Sequence, residues 1–151
     1  MLRQIRIVSI IMITMSCLLS VATDAFAAQL RGEKFGIPTE SGFTLLKVTV
    51  AGDFSLYELK LNGRAVAKIY EGDNPDFPYN KAVGKPRKIA SGTTVLSTPR
   101  TNRGNFFKRD FLVEFSDCES LCAIHVWYDG LTLNIASEVD SLVDRIRRNR
   151  K

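Results

Sequence analysis

Cys118, Cys122 and His125 stand in a C-x3-C-x2-H spacing that places three potential soft-metal ligands within eight residues. A structural zinc site takes four ligands. Cys17 is the only other Cys or His in the chain and lies in an apolar N-terminal segment, so Asp117, Glu119 or a water would have to complete the set. No metal is therefore expected. The same two cysteines read more simply as a disulfide that pins a tight connection between two strands, provided the chain reaches an oxidising compartment. Three residues separate them, so the closed loop is short and the bridge contributes only about 2 kcal/mol in the entropy treatment. A redox-active pair is disfavoured, because the usual spacing is C-x-x-C in a βαβ setting.

His125 is the only histidine, so any nucleophile–base arrangement would have to use it. No Gly-x-Ser-x-Gly elbow or comparable context marks a nucleophile. The expectation is a partly buried strand histidine with one hydrogen-bonded nitrogen, sharing a face with Trp127, the only tryptophan. If the C-terminal helix leaves that face open, His125 and Trp127 form an aromatic pair suited to gripping a partner; if it covers the face, they are core. Glu71, Asp73 and Asp76 could supply paired carboxylates for glycoside chemistry, but acids in a loop are commoner as turn formers. Asp73, Asn74 and Asp76 also lack the alternate spacing and distal Glu of a calcium loop. In the same loop Phe77 and Tyr79 are held between and beside Pro75 and Pro78. An exposed aromatic on a proline-stiffened loop loses little entropy on binding, whereas an inward Phe77 would tuck the loop onto the core. Asp76, Phe77, Tyr79, His125 and Trp127 are the candidate binding residues. No catalytic residue and no cofactor is expected.

The first 27 residues have the parts of a secretory signal. Arg3 and Arg6 form the positive region, residues 7–22 are almost uninterruptedly apolar, and Ala25-Phe26-Ala27 offers small residues at a cleavage site. The apolar run is shorter than the roughly 20 residues a bilayer span needs. An uncleaved anchor and a lipoprotein modified at Cys17 are the weaker alternatives; Leu18-Leu19 continues the apolar run where a lipoprotein site would end it. The expected organisation is a cleaved signal, residues 1–27, and one small domain, residues 28–151, in a bacterial periplasm or outside the cell.

The formal net charge is +5, and its distribution is blocky. Residues 79–109 carry Lys81, Lys85, Arg87, Lys88, Arg100, Arg103, Lys108 and Arg109 with no acid. Residues 110–144 carry Asp110, Glu114, Asp117, Glu119, Asp129, Glu138, Asp140 and Asp144 with no Lys or Arg, and residues 145–151 are basic again. Such blocks are expected to face one another across the fold. Basic blocks sharing one surface would instead attract an acidic protein, anionic lipid or lipopolysaccharide phosphates. Export takes the chain away from nucleic acid.

Several elements must position these residues. Asn62-Gly63 suits a two-residue type I′ hairpin turn. Pairing Leu61 with Arg64 then sets Leu59 opposite Val66, Tyr57 opposite Lys68 and Leu56 opposite Ile69. Residues 43–50 read as a strand with Leu46, Val48 and Val50 on one side, closed by Ala51-Gly52-Asp53. Residues 106–115 put Phe107, Phe111, Val113 and Phe115 on one face, and residues 123–128 put Ile124, Val126 and Tyr128 on one face. A shorter strand is expected near residues 88–97. Ile135, Val139, Leu142, Val143 and Ile146 recur at helical spacing, with Asn134 as N-cap and Arg145, Arg147 and Arg148 at the negative end of the dipole. The Arg- and Lys-rich tail reads as a solvated helix end. The expected fold is α+β: an antiparallel sheet of five or six strands with a C-terminal amphipathic helix on one face.

Functionally, small size, a signal, a disulfide and aromatic-bearing loops point to a secreted non-catalytic binding module: an inhibitor, immunity or envelope accessory protein. Its expected partner is a protein of the cell envelope, an acidic one if the basic blocks share a surface. The alternatives are a small periplasmic enzyme or metal-binding protein using His125, and an envelope-surface protein attached weakly to anionic lipid or lipopolysaccharide through its basic segments.

Overall fold

The computed structural model describes residues 29–38, 42–116 and 123–149. The signal segment, Cys118 and Cys122 lie outside the described residues.

The hairpin forms from β4 (Phe54–Leu61) and β5 (Arg64–Gly72), with Asn62 and Gly63 both at positive φ (51° and 81°) as a type I′ turn requires. Leu61 pairs with Arg64 and Lys60 with Ala65, after which a bulge shifts the register. Leu59 then opposes Ala67, and Tyr57 opposes Ile69, in place of the expected Val66 and Lys68. Burial explains the correction. Unbroken pairing would place Lys68 on the same face as Tyr57, and Ile69 on the face opposite the core. The extra residue keeps Tyr57, Leu59, Ala67 and Ile69 in the core and leaves Lys68 exposed.

Around this hairpin the chain builds an antiparallel sheet in the order β3 (Phe43–Ala51), β4, β5, β10 (Ala123–Leu131), β9 (Phe106–Phe115), β7 (Thr93–Ser97), β6 (Arg87–Ala90); β8 (Thr101–Arg103) pairs with β9 beyond the end of β7. The single strand expected near residues 88–97 is a hairpin, β6–β7, turned at Gly92 with φ 66°. β1 (Gln29–Arg31), β2 (Phe35–Pro38) and β11 (Arg147–Arg148) form a second, three-stranded sheet. Among the described residues the protein is therefore mostly β, with an eight-stranded and a three-stranded sheet and one helix. The five- or six-stranded α+β expectation is corrected accordingly. The unexpected strands β1, β2, β8 and β11 have two to four residues each, too few to show a period of two.

The helix α1 (Leu133–Val143) also differs from expectation. Thr132, not Asn134, occupies its N-cap, and no side chain caps it. It ends at Val143, yet Ile146 remains fully buried. Arg147 and Arg148 pair with Gly36 and Phe35 of β2, so the described tail residues include a short strand in place of the expected solvated helix end. The edge of β2 supplies the backbone partners of Arg147 and Arg148.

One face of the large sheet carries Phe111, Val113, Ile124 and Val126 and packs against Ala136, Val139, Leu142 and Val143 of α1, with Phe35 and Ile37 of β2 in the same core. Ion pairs between the basic and acidic blocks clamp this layer. Asp140 of α1 accepts bonds from Arg100 and Arg109, each at 2.6 Å, and from the Tyr128 hydroxyl at 2.9 Å. Arg87 reaches Asp144 at 2.5 Å. A second polar anchor is Glu71, whose buried carboxylate accepts from the Lys34 N–H at 2.5 Å, the Glu33 N–H at 3.2 Å and the Tyr57 hydroxyl at 2.8 Å. It ties the turn between β1 and β2 to the large sheet.

Candidate functional site

Alternation along β10 sends His125 and Trp127 to the face opposite α1. Register brings Tyr70 of β5 and Leu112 of β9 beside His125, and Lys68 and Asp110 beside Trp127. The loop of residues 73–82 lies over this second face. Within it the Phe77 N–H bonds to the Pro75 carbonyl at 2.8 Å and the Tyr79 N–H to the Phe77 carbonyl at 2.9 Å, two tight turns in succession. A single 3-10 turn, Tyr79–Lys81, follows, and the Val83 N–H then bonds to the Ser97 carbonyl of β7 at 3.0 Å.

This path brings all five candidate binding residues together. Phe77 is 5% exposed and meets the His125 ring edge-on at 5.7 Å. Trp127 packs against that imidazole at 4.8 Å, with the two rings tilted by 30°. Tyr79 stands edge-on to Phe77 at 5.1 Å but is 58% exposed. Burial and the nearby carboxylate of Glu114 raise its phenol above the ordinary range. Asp76 lies near enough for its charge to act on His125. What covers His125 is thus the loop, where the sequence had offered only the helix.

The His125 Nε2–H donates to Asp110 Oδ1 at 3.1 Å. Burial holds the imidazole below its ordinary value, and the attraction of Asp110 and Asp76 only partly offsets this, so the ring is neutral at neutral pH. Sequence reasoning had missed Asp110, although its even spacing from Leu112 along β9 puts it on the His125 face. The imidazole is accordingly a packed, oriented ring in contact with both Phe77 and Trp127. Among the described residues, no three His, Cys, Asp or Glu side chains gather in a way that could hold a metal ion.

Beside the roof, the second face opens into a groove of about 750 Å³ lined by Asp76, Pro78, Lys81, Thr98, Pro99, Thr101, Lys108 and Asp110. A further compartment of about 500 Å³, lined by Thr101, Asn102, Arg103, Phe106, Lys108, Asp129 and Gly130, shares Thr101 and Lys108 with it. The loop residues here carried a signal in their proline and aromatic content. The groove residues of β8 and β9 carried none, because each is an ordinary polar strand residue until the register sets them side by side. No protein family, curated protein or solved structure matches this chain.

Proposed function

We propose that the chain is exported to the periplasm or beyond, loses residues 1–27, and acts there as a non-catalytic binding module that grips an envelope protein through the loop of residues 73–79. One observation carries this: Tyr79 is 58% exposed while its neighbour Phe77, 5.1 Å away, is buried against His125. A buried aromatic anchors the loop, two prolines limit its freedom, and an exposed aromatic is held ready beside them. Such an arrangement meets a partner with little ordering cost, and tyrosine is among the residues that dominate interface energetics. The bridge between Cys118 and Cys122 belongs to the same proposal, since export supplies the oxidising setting.

The test is a photo-cross-linking amino acid placed at position 79 in cells. A discrete adduct that disappears when Phe77→Ala frees the loop supports the proposal. An exported, folded protein that yields no adduct from position 79 overturns it. Fractionation checks the address: full-length protein in the cytosol with both thiols reactive would contradict export.

A further inference from the structure

We propose a second binding site on the same sheet face, separate from Tyr79: an oligosaccharide groove floored by β8, β9 and β10. The two compartments described above adjoin at Thr101 and Lys108, which line both, and the proposed trough runs along the two. Each lies within the roughly 300–1,000 Å³ of small-ligand sites. The loop's Asp76 and Pro78 wall one end, and the strands supply the floor. That floor is rigid: the Asp110 N–H bonds to Thr98 Oγ1 and the Thr98 N–H to the Asp110 carbonyl, both at 3.0 Å, and β8 pairs with β9 from Thr101–Lys108 to Arg103–Phe106.

The lining chemistry selects the ligand class. Asp76, Asp110 and Asp129 can only accept hydrogen bonds when ionised, while Lys81, Arg103 and Lys108 can only donate. Asp110 Oδ1 already accepts from His125 and Lys108 Nζ lies 3.5 Å from Asp129 Oδ2, so a ligand bonds to the donors and acceptors these contacts leave over. Acids and bases are equal in number along the trough, so it favours neither a polyanion nor a polycation. A phosphate would meet Asp76 and Asp110, and a basic peptide would meet Lys81 and Lys108. Vicinal hydroxyls satisfy both sets at once, because each donates to a carboxylate and accepts from an ammonium or guanidinium. Phe106 adds the apolar element. Its ring is 54% exposed on the trough floor, a plate for the C–H face of a pyranose. An open trough with paired donors and acceptors and one exposed ring fits a chain of uncharged hexose or N-acetylhexosamine units.

Titration of the folded, oxidised protein with the tetrasaccharides of N-acetylglucosamine, β-linked glucose and α-linked glucose tests this, read by calorimetry and amide chemical shifts. The expected result is saturable binding of at least one of them, little changed between low and high salt. Phe106→Ala and Lys108→Met should each weaken it at least ten-fold, with circular dichroism unchanged because both side chains are exposed. Tyr79→Ala should leave it intact, and this separates the groove from the protein-binding loop. Sedimentation with purified cell-wall sacculi or with lipopolysaccharide then identifies the source of the glycan. No saturable binding at millimolar sugar, binding indifferent to Phe106→Ala, or binding abolished by salt would each overturn the proposal.

Discussion

Replacing Phe77 by alanine tests how the loop and the sheet depend on each other. Phe→Ala at a packed site costs about 3–5 kcal/mol in lost transfer energy and cavity. Phe77 is 5% exposed but belongs to a loop, and a loop can let go of the sheet without global unfolding. Detachment exposes His125, Trp127 and Leu112 in place of an internal cavity, so the lower end of that range, about 3 kcal/mol, is expected. Against a total stability of about 5–15 kcal/mol the fold survives, with a melting temperature lower by roughly 10 °C. Urea unfolding read by fluorescence of Trp127, the only tryptophan, measures the loss. The only histidine gives an independent signal by proton NMR. Burial is the largest cause of its lowered pKa, so removing the roof should move its titration upward, toward the ordinary value of about 6.5. A loss no greater than the ~0.5 kcal/mol of a surface substitution, with His125 titrating where it does in the parent, would refute the roof.

Three further outcomes follow from the buried polar groups. His125 has a folded-state pKa below its unfolded value of about 6.5. The unfolded chain therefore binds more protons below that pH, so this contribution to stability is full above about pH 6.5 and is lost as pH falls through the folded pKa. Urea midpoints measured across that range should show the decline, and His125→Gln should flatten it. Asp140→Asn removes the charge that holds Arg100, Arg109 and Tyr128 under α1. Both arginines are about one-quarter exposed, so the 3–5 kcal/mol of a fully buried broken pair is reduced to about 2 kcal/mol, measurable by chemical denaturation. Glu71→Gln leaves an amide facing donors that need a carboxylate, which costs about 2–3 kcal/mol. Amide exchange at Glu33 and Lys34 should accelerate ahead of the rest of the protein.

The parts of the fold that can be read from the sequence are those that local chemistry decides. Asn62-Gly63 can take the positive φ angles of a type I′ turn, so the hairpin and its first two pairs are legible. Ten residues of alternating character, Phe106–Phe115, are enough to define β9. The register beyond Lys60 was not legible, because the bulge answers to what lies across the sheet. The end of α1 was hidden for a related reason: Ile146 is buried at helical spacing although the backbone has already left the helix for β2.

The site divides the same way. Residue types alone marked Asp76, Phe77, Tyr79, His125 and Trp127, since prolines and aromatics in a loop and a lone histidine beside a lone tryptophan are visible without coordinates. That a loop and not the helix roofs His125, that Asp110 is its partner, and that Phe106 and Lys108 line one compartment were settled by packing. Turn and strand preferences are properties of a few neighbouring residues, whereas burial belongs to whatever surface arrives from elsewhere in the chain. A strand's sequence states that it has two faces, and only the assembled protein states which of them meets water.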